Sequence, residues 1–146
     1  MNNDFTAKMA EIRAKLPDLI KRLPGVAKVE GLRFIADNFA KEGFETKTGS
    51  YDTWKKKKDQ QGKKTLMGNK RGGSLKRSWQ KSTTSSESQV EFTSQLPYAE
   101  VHNEGLKAGR PPGFTMPQRQ MIGPSAALDA RIEKKFDEMA KQVFEP

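Results

Sequence analysis

Apolar side chains recur at helical spacing along the first forty residues. Phe5, Met9, Ile12, Leu16, Leu19 and Leu23 alternate steps of four and three, which places them on one stripe of a helix. Pro17 interrupts this stripe and predicts a kink or restart near Leu16. Leu23-Pro24-Gly25 predicts an end, with Pro24 in the first turn of a second helix, where its missing N–H costs nothing. That second helix carries Val26, Val29, Leu32, Ile35 and Phe39 and stops at Lys41-Glu42-Gly43, with Gly43 as a left-handed cap. Residues 74–78 have room for one helical turn. Residues 79–84 and 89–94 are β-favouring and flank a polar Ser-rich stretch, which predicts a hairpin with Val90 and Phe92 on its buried face. Pro97 opens a short helix over 98–104 that Gly105 closes. Residues 106–114 are rich in Gly and Pro and read as loop. Residues 116–122 read as a strand, with Pro117 favouring an edge or bulge. The last helix is capped by Ser125 and carries Leu128, Ile132, Phe136, Met139 and Val143. There is no internal repeat. The order of elements predicts an α+β fold: a small antiparallel sheet of three to four strands packed by N-terminal and C-terminal helices.

Charge changes this picture in one place. The chain of 146 residues is the length of a single domain, residues 1–146, and its net charge is +9. Residues 54–81 hold eleven Lys or Arg against one acid, Asp59, so the rest of the chain is nearly neutral. Residues 50–73 are poor in apolar side chains and predict a long, flexible basic loop inserted in the domain. Lys55, Lys56, Lys57, Lys58, Lys63, Lys64, Lys70 and Arg71 are its candidates for contact with a polyanion or an acidic partner. A solvated loop that only aids solubility fits the same composition.

Composition narrows the chemistry. With no Cys, disulfides, thiolate zinc sites and cysteine nucleophiles are excluded, and a single His excludes a multi-histidine metal site. No apolar run approaches the roughly 18 residues of a membrane span. The N-terminus lacks the basic start and apolar stretch of a signal peptide, which predicts a soluble, unprocessed, cytoplasmically made chain. His102 sits in Val-His-Asn-Glu-Gly, but a nuclease reading needs a second ligand cluster that the sequence does not supply. No nucleophile elbow, Walker loop or dinucleotide fingerprint is present, and Gly72-Gly73-Ser74 reads as a turn. Glu133, Asp137 and Glu138 lie among Lys134, Lys135 and Lys141, the pattern of a solvated helix face. The expectation is a protein without catalytic residues, metal or cofactor.

Three stretches together carry a resemblance. The first runs Val29-Glu30-Gly31-Leu32-Arg33-Phe34-Ile35-Ala36-Asp37-Asn38-Phe39 and ends at Gly43-Phe44. The second is Trp54 with its basic run, then Leu66 and Gly73-Ser74-Leu75-Lys76-Arg77-Ser78. The third is Pro97-Tyr98-Ala99-Glu100-Val101-His102-Asn103-Glu104-Gly105, followed by Met116-Pro117-Gln118-Arg119-Gln120-Met121-Ile122-Gly123-Pro124-Ser125. In order and spacing, over about residues 26–143, this resembles the phage virion morphogenesis family, the Mu-like tail completion proteins. The sequence departs from the family pattern at Gly72-Gly73, where Thr-Gly is usual, and at Met121, where an aromatic is common. The resemblance implies a non-enzymatic α+β protein of the tail-terminator or head–tail connector type. Such proteins form rings, commonly sixfold, that end the tail tube or join it to the head. It implies partners in further copies of itself and in tail tube or neck proteins, and a place in the virion after assembly in the bacterial host cytoplasm.

A ring subunit needs two unlike surfaces that meet head to tail. Tyr98, His102 and Asn103 on a short helix, with Pro117 and Arg119 nearby, are the candidate subunit interface. Tyr98 packing on the domain's own sheet fits equally well, and a structural hydrogen-bonding role is favoured for Arg119 because its donor fork is rigid. The basic loop is expected to face packaged DNA in the lumen or to order against a neighbouring ring. The competing class is a sequence-independent nucleic-acid-binding protein that uses the loop. Confinement of the charge to one loop favours assembly.

Overall fold

In the computed structural model, residues 2–57, 65–66 and 74–145 are described. A single helix, α1 (Asn2–Lys41), runs through both prolines. The expected break at Pro24 and the separate second helix are therefore corrected to one continuous element. Each proline deprives the carbonyl four residues earlier of its hydrogen bond. Those carbonyls belong to Arg13 and Ile20, both exposed residues, where water can take the place of the missing N–H. The helix is then held by packing. Leu19, Phe34, Ile35, Asn38 and Phe39 are all buried along it.

The chain next forms a hairpin, β1 (Gly43–Lys47) with β2 (Ser50–Thr53). Gly43 is not the left-handed cap; Glu42 takes that conformation at φ 54°. Gly43 instead pairs with Thr53, where a Cβ would lie 2.9 Å from the Asp52 carbonyl oxygen, so no side chain fits. The expected loop thus starts later than residue 50. Trp54 is buried, and the chain touches the core again at Thr65 and Leu66, where the Thr65 N–H donates to Glu42 Oε1 at 2.7 Å.

Then come α2 (Ser74–Ser82), β3 (Thr84–Ser85) paired with β4 (Val90–Glu91), and α3 (Pro97–Glu104). The hairpin is shorter than its pattern because residues 79–82 join α2, where Leu75, Ser78 and Trp79 share the buried face at helical spacing. Gly105 closes α3 at φ 69°, as read from the sequence. A further small pair, β5 (Lys107–Ala108) with β6 (Phe114–Thr115), lies inside the stretch read as loop. Residues 116–122 form no strand. The last helix, α4 (Ala126–Phe144), starts at Ser125, whose Oγ accepts from the Ala127 and Leu128 N–H groups. The same Oγ donates to the Glu45 carbonyl at 2.6 Å and so ties α4 to β1.

The fold is α+β, with terminal helices flanking the strands, and its described strands form three two-stranded antiparallel ladders. The core lies between α1 and the rest. One cluster joins Ile35, Phe39, Trp54, Leu75, Trp79 and Met121, and a second joins Phe34, Phe44, Ala127 and Leu128. The rings of Phe39 and Trp54 meet edge to face at 5.3 Å, as do those of Phe34 and Phe44 at 5.5 Å. Burying each such side chain contributes about 1.5–3 kcal/mol. Arg131 of α4 crosses to α1 and β1, with Asp37 at 2.8 Å and Glu45 at 3.0 Å.

Candidate assembly interface

Family-like motif residues meet around α3. Residues 116–123 form a strap that crosses the core without a strand partner, so side chains satisfy its backbone. Asn103 Oδ1 accepts from the Met121 N–H at 2.7 Å and the Ile122 N–H at 3.1 Å. Asn38 Nδ2 donates to the Met121 carbonyl at 3.0 Å, and Trp54 Nε1 donates to the Gln120 carbonyl at 2.9 Å. The Arg119 N–H donates to the His102 carbonyl at 2.8 Å. These bonds replace the expected strand: the strap is held by the side chains of Asn38, Trp54 and Asn103 and by the His102 carbonyl.

Arg119 is buried and its Nε donates to the Lys55 carbonyl at 2.6 Å. It thereby fixes the point at which the basic segment leaves the core. Burial lowers the guanidinium pKa from its usual value. His102 is also buried, and burial, then the charges of Arg119 and Lys57, hold its pKa below the ordinary histidine value. It is a neutral group near neutral pH.

The structure separates the candidates read from the sequence. His102, Asn103 and Arg119 lie inside the subunit, and Pro117 is half-buried. Tyr98 is 47% exposed, its ring edge-on to His102 at 6.3 Å. Leu106 and Phe114, which the sequence reading did not single out, are the other large apolar side chains exposed in this part of the chain. Lys55, Lys56 and Lys57 are exposed, whereas Lys58, Lys63, Lys64, Lys70 and Arg71 lie outside the described residues. The N-terminal half of α1 was also missed as surface. Phe5, Met9 and Leu16 of the stripe are exposed, as is Ile20 outside it, whereas Leu19 of the stripe is buried. The signal was the length of the stripe, which runs further than one small domain covers.

Comparison with known proteins identifies the family. The family model for the phage virion morphogenesis family matches residues 33–140. The chain belongs to the phage virion morphogenesis family. It is a phage structural and assembly protein, a component of the virion. No significant match was found among curated proteins or among solved structures. The family match starts at residue 33, so most of α1 precedes it. Several residues that carried the resemblance point inward: Trp54, His102, Asn103, Arg119 and Met121 build the strap and its supports. Among the described residues, no three His, Cys, Asp or Glu side chains are grouped to hold a metal ion. No helix among them is long and apolar enough to cross a membrane.

Proposed function

We propose that this family member completes a phage tail, or the neck between tail and head, by assembling as a closed ring of identical copies. Its action is mechanical and non-enzymatic: it ends tube growth and presents a surface for joining. The observation that carries the reading is the pair of unlike apolar surfaces on one subunit of a virion-building family. One lies on the first half of α1, and the other is in the region of α3, where Tyr98 is exposed and Leu106 and Phe114 are exposed further along the chain. Unlike surfaces that meet head to tail generate a ring when the rotation closes. On this reading Tyr98 is an interface residue, while His102, Asn103 and Arg119 shape the surface from beneath.

The test is complementation. Lysates of a phage lacking this protein are expected to accumulate separate heads and tails, and adding the purified protein is expected to restore joined, infectious particles. Unchanged separation after addition contradicts the reading.

A further inference from the structure

We infer that neighbouring copies join by an arm-in-cleft contact: the first half of α1 of one chain seats in the cleft beside α3 of the next. The inference rests on the ring reading above and assigns the second contact surface to this cleft, whose lining includes Pro97 and Ala99 on either side of Tyr98 but not Leu106 or Phe114.

The arm is the first half of α1, which lies before the family-matched residues. Phe5 is 70% exposed, Met9 and Leu16 follow it on the same stripe and are exposed too, and Ile20, one turn after Leu16, is 51% exposed. Phe5 and Met9 border a shallow groove with Arg13, and no acid lines it. Arg13 is exposed and takes part in none of the ion pairs among the described residues. The arm therefore offers an apolar ridge with a cation beside it.

The cleft has the opposite character. It is about 490 Å³ in volume and lies between α2, α3 and the end of the strap. Trp79, Phe92, Leu96, Ala99 and Ile122 give it apolar walls, and Glu100 and Glu104 stand at its rim with no Lys or Arg among the lining residues. The two glutamates are one helical turn apart, so they present one negative edge. The Trp79 indole N–H is buried with no acceptor among the described residues, a donor that an incoming chain can satisfy. Apolar walls with an acidic rim complement an apolar ridge with a cation.

The arm cannot fill its own cleft. Asn103 of α3 and Asn38 of α1 bind the same strap residue, Met121, so α3 lies beside residue 38. Phe5 lies on the same continuous helix, about 50 Å away along its axis. The occupant must come from another copy, and a contact between unlike surfaces propagates head to tail.

The chain has no Cys, so introduced thiols report without background. Thr6→Cys on the arm of one full-length chain and Gln95→Cys at the cleft of another are mixed with a bismaleimide cross-linker. A chain with Glu138→Cys, on an exposed face of α4, replaces the cleft variant as control. The arm–cleft product is expected in severalfold excess over the control product. Glu100→Lys with Glu104→Lys in the cleft chain is expected to cut that yield severalfold, and Arg13→Glu in the arm chain to restore it. Equal yields at cleft and control, or a yield indifferent to these reversals, overturn the inference. Light-scattering mass separates it from the ring reading. A closed oligomer without the arm–cleft excess keeps the ring and removes the arm. The excess in a chain that never closes keeps the arm and removes the ring.

Discussion

Asn103 shows what a single polar side chain does here. Its Oδ1 holds two backbone N–H groups of the strap, and its Nδ2 donates to Glu104. Asn103→Ala leaves both N–H groups without their acceptor inside the protein. Each unsatisfied group costs about 1–3 kcal/mol, so urea unfolding should show a loss of at least about 2 kcal/mol. A loss below about 0.5 kcal/mol would mean that the strap is held by other contacts. Acid sensitivity also has a residue-level origin. Burial pushes the Glu45 carboxyl up, but the Gly49 N–H and Arg131 outweigh it, and the pKa is lowered in the fold. A carboxyl depressed in the folded state gives stability that is complete above its unfolded value, near 4.3, and lost as pH falls through the folded value. His102 acts with the same sign at higher pH. Below about 6.5 the unfolded chain takes a proton that the buried imidazole resists. Glu45→Gln should flatten the decline in the acid range, and His102→Gln the step above it, in urea midpoints measured against pH. Curves that overlay the parent's would refute the assignment. Sequence pattern places polar residues outward by default. Nothing local distinguishes an Asn that binds a distant backbone from one in water, which is why Asn103 read as a surface candidate; for Arg119 the rigid donor fork did favour a structural hydrogen bond, and its Nε donates to the Lys55 carbonyl.

At the scale of elements, legibility followed locality. The ends of α3, the Ser125 cap and the stripes of α1 and α4 depend on residues within a turn or two, and the sequence showed them. The β1–β2 hairpin and the strap depend on distant partners: Gly43 on the Asp52 carbonyl, and residues 120–122 on Asn38, Trp54 and Asn103. Continuity of α1 through Pro17 and Pro24 is likewise tertiary, since local propensity alone breaks it. Proline in a helix interior is about 3 kcal/mol less favourable than alanine. Pro17→Ala, at an exposed position, should therefore stabilise the protein by up to about 3 kcal/mol and raise its thermal midpoint. An unchanged or lower midpoint would show that the proline is matched to its surroundings.

At the scale of the whole molecule, two features bear on different partners, and only the first was legible in the sequence. The charge is concentrated in residues 54–81, and exposed Lys55 and Lys56 stand where that segment leaves the core. If this segment meets DNA, Lys55→Gln with Lys56→Gln should weaken binding and flatten its salt dependence, by about 0.9 in log–log slope for each phosphate no longer neutralised. An unchanged slope excludes these lysines from DNA binding. In the proposed function, the apolar arm and the α3 region meet other copies of the chain. Six copies of the 16.4 kDa chain weigh about 98 kDa. Light scattering of the purified full-length protein, at two protein and two salt concentrations, measures this directly. Ring assembly predicts one discrete species of closed-oligomer mass that persists in high salt. A mass of one chain at every concentration, unchanged when tail tubes are added, would contradict it.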